Sequence, residues 1–269
     1  MPRSYSFTHT LSRAPAPSIT DGLRADDVGD PEFETLLFHH AAYISALEEA
    51  GCETRVLPAL EHFPDSVFIE DAALCLGSTA IALRPGAPSR FGETAALRPD
   101  LQRIFDTVID LPGASMEDGA LVDGGDILVT ETEVLVGLSE RTDQAGFDAL
   151  SEIVKDLGYQ ARAVHTPKGV LHFKSDCGLL DDETIFSTQA LAASGCFETY
   201  RVLDAPVGEE RAANLIRVND HVLISDGYPR TADLLTGAGY TVITLPNSEA
   251  AKVDGGLSCM SLRFNLDTP

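Results

Sequence analysis

Among the five cysteines, Cys259 sits in the setting best suited to chemistry: Lys252-Val253-Asp254-Gly255-Gly256-Leu257-Ser258-Cys259-Met260-Ser261-Leu262-Arg263-Phe264, a glycine pair at the head of a short apolar segment. A glycine pair allows a close backbone approach that a β-carbon would block. A thiol at the mouth of such a turn can attack a bound ligand as its thiolate. The same residue also fits a small buried hydrophobe on a strand, the usual packing of a free cysteine. Nucleophilic chemistry needs a histidine and a carboxylate beside it. His172, in Val170-Leu171-His172-Phe173-Lys174-Ser175, is the candidate acid–base group, although a satisfied core histidine would look alike. Asp123, in Leu121-Val122-Asp123-Gly124-Gly125-Asp126, is the candidate carboxylate. Its glycines resemble those before Cys259, and Asp-Gly also reads as a turn.

The elements that must position these residues repeat. Ala72 to Leu76 and Ala80 to Leu83 read as two strands joined at Gly77-Ser78, followed by a rigid loop, Arg84 to Arg90, and a helix that Pro99 must kink or restart. Asp126 to Thr130 pairs with Glu133 to Leu138, Cys177 to Leu180 with Thr184 to Ser187, and Ala213 to Val218 with Val222 to Ser225, each pair followed by a helical stretch. Leu257 to Phe264 is left to pair with an N-terminal strand, Ser4 to Thr10. Between them, Ser12 to Asp30 reads as a loop, and Asp30-Pro31 opens a helix as N-cap and first-turn proline. His39 and His40 read as surface residues of that helix. Five similar units, the last closed by the two ends of the chain, argue for a propeller-like array with a central site. An open α/β sheet has the same spacing.

Composition narrows the partners. The formal net charge is −23, with only four lysines. Such a surface repels phosphate backbones and attracts cations, so nucleic acid is not an expected partner. An odd number of unpaired-looking cysteines and no secretory pattern at the N-terminus predict reduced thiols in a cytoplasm. No apolar run approaches the length of a membrane span.

Five ordered stretches carry a resemblance: Asp65-Ser66-Val67-Phe68-Ile69-Glu70-Asp71, Arg84-Pro85-Gly86-Ala87-Pro88-Ser89-Arg90, Gly137-Leu138-Ser139-Glu140-Arg141-Thr142, Leu171-His172-Phe173-Lys174-Ser175 and the Cys259 stretch. Together, over nearly the whole chain, they resemble the dimethylarginine dimethylaminohydrolases of the guanidine-modifying, amidinotransferase-like superfamily. The resemblance implies a five-bladed α/β propeller of pseudo-fivefold ββαβ repeats, as one catalytic domain over residues 1–269. It implies hydrolysis of Nω-methylated arginine to citrulline and a methylamine through a thiouronium on Cys259.

By the same resemblance, His172 protonates the leaving amine and then activates water. Asp123 orients the imidazole, with Asp126 as second choice. Asp71 pairs with the guanidinium and Glu70 supports it from behind. Asp65 and the carbonyl of Leu23 hold the α-amino group, and Arg90 and Arg141 fork the α-carboxylate. Phe68 and Val253 pack beside the substrate. No cofactor is implied: Cys259 and His172 alone are too few for a structural zinc site, and zinc there would inhibit. A homodimer is the assembly that bacterial relatives suggest. Two other readings fit parts of the pattern, an arginine deiminase and a silent arginine-binding module. Deiminases carry an acid two residues after the histidine, where this chain has Lys174.

Overall fold

A computed structural model describes residues 3–113, 119–167 and 169–266. Among these, the strands form five sheets of three. One unit shows the pattern. Ala73–Leu76 and Thr79–Ala82 make an antiparallel hairpin, turned by Gly77 at φ 57°. Helix Glu93–Ile104 then returns the chain, and Thr107–Asp110 joins parallel to the middle strand. The hairpins Ile127–Val129 with Val134–Leu138, Cys177–Leu179 with Thr184–Ser187, and Ile216–Val218 with His221–Ser225 repeat it. Their parallel third strands are Ala161–His165, Arg201–Asp204 and Thr241–Leu245. The fifth sheet joins the ends of the chain: Ser261–Phe264 runs antiparallel to His9–Arg13, which runs parallel to Glu53–Leu57. The fold is the five-bladed α/β propeller that the repeats predict.

The strand that opens each unit lies towards the axis, as where Ser261–Phe264 meets Ala73–Leu76. A short 3-10 turn precedes each of these inner strands: Ile69–Ala72, Gly124–Asp126, Phe173–Ser175, Glu210–Ala213 and Ser258–Met260. Successive turns pack side by side around the axis. Apolar side chains behind them hold the ring in place. Helix Phe33–Glu49, for example, buries Leu36, Tyr43 and Leu47 in one cluster with Val67, Phe68, Leu223 and Cys259. Fully burying one such aliphatic side chain is worth about 1.5–3 kcal/mol.

Local details depart from the sequence reading. The N-terminal strand starts at His9, not Ser4. The segment before it is held by Asn219 instead, whose N–H donates to the Tyr5 carbonyl while its side-chain oxygen accepts from Phe7 N–H. The first helix is capped by Glu32, whose carboxylate accepts from the N–H groups of Glu34 and Thr35, and not by Asp30. His39 and His40 are buried. His40 meets the Ser12 hydroxyl, which itself donates to the Met260 carbonyl beside Cys259. Helix Glu93–Ile104 continues through Pro99.

Candidate active site

The ring of 3-10 turns gathers the residues singled out for chemistry. Asp71, Asp123, His172 and Cys259 stand in or at the edge of four of the five turns. Two glycine pairs make the ring this tight. A β-carbon on Gly124 would lie 1.9 Å from the Glu70 carbonyl, and one on Gly125 would lie 2.9 Å from both the Asp71 carboxylate and the His172 ring. At the other pair, a β-carbon on Gly255 would strike the Phe68 ring at 2.2 Å, and one on Gly256 would strike Asn214 at 2.1 Å. Neither Gly255 nor Gly256 has positive φ, so close approach is the reason for glycine there.

His172 Nε2 lies 2.7 Å from Asp123 Oδ2. A carboxylate only accepts, so Nε2 carries the hydrogen and Nδ1 is left for proton transfer. Asp123 is held in turn by Gly86 N–H on Oδ1 at 2.6 Å. Asp126 faces elsewhere: Oδ1 accepts from Phe173 N–H, and Oδ2 accepts from the hydroxyls of Ser139 and Thr142. It fixes the backbone next to His172 and not its ring. Ligand atoms of Asp71, Asp123 and His172 lie within 4.8 Å of one another. Such a cluster can share a metal ion, and an imidazolium between two carboxylates satisfies the same charges. Burial favours the neutral ring, but the Asp71 charge and the Asp123 hydrogen bond outweigh it and raise the His172 pKa to about 9. Burial pushes the Asp71 carboxyl up, yet His172, Arg90 and the Gly125 N–H together hold it below its ordinary value.

Cys259 is 7% exposed. Burial, then the negative charges of Glu70 and Asp71, push its thiol up to about 11. The resting sulfur is therefore a thiol. A bound cation near Asp71 would reverse the electrostatic part of that shift.

The far end of the site is built on the loop at Gly22-Leu23. Leu23 N–H donates to Asp65 Oδ1 at 2.9 Å, and a β-carbon on Gly22 would lie 3.2 Å from both Asp65 and Val253. Burial raises the Asp65 pKa, against the pull of Arg90, the Leu23 N–H and Arg141. The Arg141 guanidinium makes no hydrogen bond among the described residues. Its loop packs against Gly86, where a β-carbon would lie 2.4 Å from the Arg141 carbonyl.

Arg90 departs from its expected role. It is 4% exposed, and its fork grips Glu93 through Nε at 3.0 Å and Nη2 at 2.7 Å. Nη2 also donates to the Phe68 carbonyl, and Nη1 donates to Asp71 Oδ2 at 2.5 Å. A carboxylate can reach one remaining Nη1 hydrogen at most, not the fork. A glutamate three residues on was the signal for this, since that spacing brings side chains together in a helical turn.

Glu70 is likewise occupied. Its Oε1 lies 2.6 Å from Lys174 Nζ and 2.5 Å from Arg263 Nη2, while buried Oε2 has no hydrogen-bond partner among the described residues. A cavity of about 290 Å³ touches Glu70, Lys174 and Arg263 but not Cys259 or His172. The ion-paired cluster thus lines this cavity, together with Ser258 and Gly124 from the ring of turns. Sequence reasoning gave no role to Arg263, which stands in the Cys259 stretch, nor to Glu93 and Asn214, which stand in no motif.

Fold and site together define a guanidine-modifying propeller of the amidinotransferase-like superfamily. An amidinotransferase from Microseira wollei shares the fold at TM-score 0.80 and 14% identity, covering 97% of this chain and 96% of that one. The family model described as N,N dimethylarginine dimethylhydrolase, eukaryotic, matches residues 29–179. The N(G),N(G)-dimethylarginine dimethylaminohydrolase of Pseudomonas aeruginosa is 37% identical, covering 96% of this chain and 100% of its own. The protein of that name from Streptomyces coelicolor is 32% identical over 94% of this chain and 96% of its own. A solved Pseudomonas aeruginosa structure, a cysteine-to-serine variant complexed with citrulline, superposes at TM-score 0.91 with 36% identity over 97% of this chain and 100% of that one. The chain belongs to the dimethylarginine dimethylaminohydrolase family.

Proposed function

We propose that the protein hydrolyses Nω-methylated L-arginine to L-citrulline and dimethylamine or methylamine, with Cys259 as nucleophile. The observation that carries this is the ring itself: a buried thiol and a carboxylate-held imidazolium beside Asp71, whose oxygens each accept one hydrogen bond, from Gly125 N–H and Arg90, and keep lone pairs for a cation. Homologues of the same name, one of them solved with citrulline, support the substrate class.

The guanidinium pairs with Asp71 and offsets the anionic field on Cys259, which favours the thiolate only when substrate is present. Cys259 loses its proton to solvent, since His172 is already protonated, and the thiolate attacks the guanidinium carbon to form a tetrahedral adduct. His172 gives its proton to the leaving methylamine, and the C–N bond breaks to a thiouronium. The neutral imidazole then takes a proton from water, whose oxygen attacks the same carbon. The C–S bond then breaks as the adduct's hydroxyl proton passes to the departing sulfur, leaving citrulline and the enzyme's thiol and imidazolium. Asp123 orients the ring. Asp65 and the Leu23 carbonyl take the α-amino group, Arg141 takes the α-carboxylate, and Phe68 and Val253 pack on the aliphatic chain. Arg90 adds one N–H at most and mainly fixes Asp71 and Phe68. Glu70 supports the site from behind.

Selectivity for a methylated end rests on acceptors. Glu70 Oε1 is taken by Lys174 and Arg263, so of its two oxygens only Oε2 is open to an N–H from the unsubstituted end of arginine. Each buried N–H left unpaired costs about 1–3 kcal/mol. Methyl groups remove those donors.

The reading extends to one catalytic unit over residues 1–269, a homodimer, and a reducing cytoplasm, the last supported by five free cysteines. The acidic surface argues against nucleic acid as a partner. Among the described residues, no helix is long and apolar enough to cross a membrane. Citrulline release from methylated arginine by wild type, and its loss in Cys259→Ser, is the test.

A further inference from the structure

Four turns of the axial ring supply Asp71, Asp123, His172 and Cys259, and the mechanism above leaves the fifth unused. That turn, Glu210–Ala213, ends at Asn214. Asn214 stands two residues before its inner strand, the same place that Asp71 and Cys259 hold in theirs. Its side chain is buried and both ends of the amide are engaged with the nucleophile's turn. Oδ1 accepts from Ser258 N–H at 3.0 Å, and Nδ2 points to Cys259 Sγ at 3.8 Å. The turn is shaped to receive this amide, since any β-carbon on Gly256 would occupy its place. Asn214 also bridges the Glu210–Ala213 and Ser258–Met260 turns and so closes the ring.

We propose that Asn214 is a positioning residue for the nucleophile: its carbonyl oxygen pins the Ser258–Cys259 backbone, and its N–H donates to the sulfur, most strongly to the thiolate. The inference rests on Cys259 being the nucleophile of the proposed hydrolysis. An amide suits this place because it is neutral. The charges that act most on the sulfur are those of Glu70 and Asp71, both anionic and themselves paired to Lys174, Arg263 and Arg90, with the Tyr43 phenol behind. A third acid would oppose the thiolate further, and a cation would repel the substrate. A fixed N–H dipole favours negative sulfur without either effect. The other neighbour of Sγ is the Ser258 hydroxyl at 3.9 Å, which can rotate away, whereas the amide is held by its second bond.

The test compares wild type, Asn214→Ala and Asn214→Asp. The aspartate keeps the acceptor for Ser258 N–H and the shape, and removes the donor to sulfur. Two readouts are needed. One is the pH dependence of Cys259 alkylation by iodoacetamide in resting enzyme, followed by mass of the Cys259 peptide. The other is kcat and KM for dimethylarginine, with circular dichroism to confirm folding. In both variants the alkylation midpoint should move up by about one pH unit. kcat should fall about tenfold to a hundredfold with KM changed by less than about threefold. The aspartate should be the slower of the two. An alanine variant with wild-type alkylation and kcat would overturn the proposal. If the alanine variant does not fold, a wild-type profile in the aspartate variant overturns it. Alkylation needs no turnover, so a wild type that ignores dimethylarginine would refute the proposed activity while leaving the Asn214 result readable.

Discussion

His172 Nε2 and Asp123 Oδ2 meet at 2.7 Å with both side chains nearly sealed from solvent. The pair sets which ring nitrogen holds a proton and which one is left to exchange it. Asp123→Asn keeps the shape but offers an N–H that can reverse the tautomer. kcat should drop by about a hundredfold to ten-thousandfold, with little change in KM. Steady-state citrulline release measures this. A kcat within about threefold of wild type would remove Asp123 from the account.

The two arginines should part company. Arg90→Ala takes a buried cation from Asp71 and leaves Glu93 a buried unpaired carboxylate, so unfolding stability should fall by about 3–5 kcal/mol. Arg141 holds no such pair, and Arg141→Ala should raise KM with the urea midpoint nearly unchanged. Equal stability of the two variants would contradict the reading of Arg90 as a buried brace.

Much of this architecture was legible because hairpins announce themselves. Val134 to Leu138 and His221 to Ser225 are apolar runs beside short polar turns, and Asn219 accepts the left-handed φ of 54° that its turn requires. The parallel third strands gave weaker signals. Glu53–Leu57 is largely exposed, Arg201–Asp204 is half-buried at best, and each offers only a pair of adjacent apolar residues. The site was legible where close approach demands glycine, at Gly124-Gly125 and Gly255-Gly256. It was not legible where one polar group takes another's partner. The sequence sets Glu93 three residues after Arg90, a spacing that can pair them, but the pairing itself, which fills the first of the two arginine forks, is seen in the fold.

Stability should pass through a maximum set by two histidines. Burial lowers the His40 pKa from 6.5 to about 4, so the unfolded chain binds more protons between those values and acid destabilises the fold. His172 is the opposite case, raised from 6.5 to about 9. The folded protein binds more protons in that window, so its contribution is whole below 6.5 and is lost as pH rises through about 9. Urea midpoints across pH for wild type and His172→Gln should differ in slope between 6.5 and 9. Parallel curves there would show that His172 is not held as an imidazolium.

The thiol should respond to charge. In resting enzyme, Cys259 alkylation by iodoacetamide should keep rising with pH beyond 9, because the thiol is pushed up to about 11. A cationic, non-reacting amidinium ligand at Asp71 should move that profile down. The neutral ligand citrulline should move it less. An unchanged profile with the cation would separate substrate charge from thiol activation.

The central claim is hydrolysis of a methylated guanidinium, and competing substrates test it most directly. Citrulline release should be followed side by side from Nω,Nω-dimethyl-L-arginine and from L-arginine. The account predicts a kcat/KM ratio of at least about a hundredfold in favour of the dimethylated substrate, from unpaired donors on arginine and burial of two methyl groups. Equal kcat/KM for the two substrates would contradict it and make the protein an arginine deiminase on the same propeller.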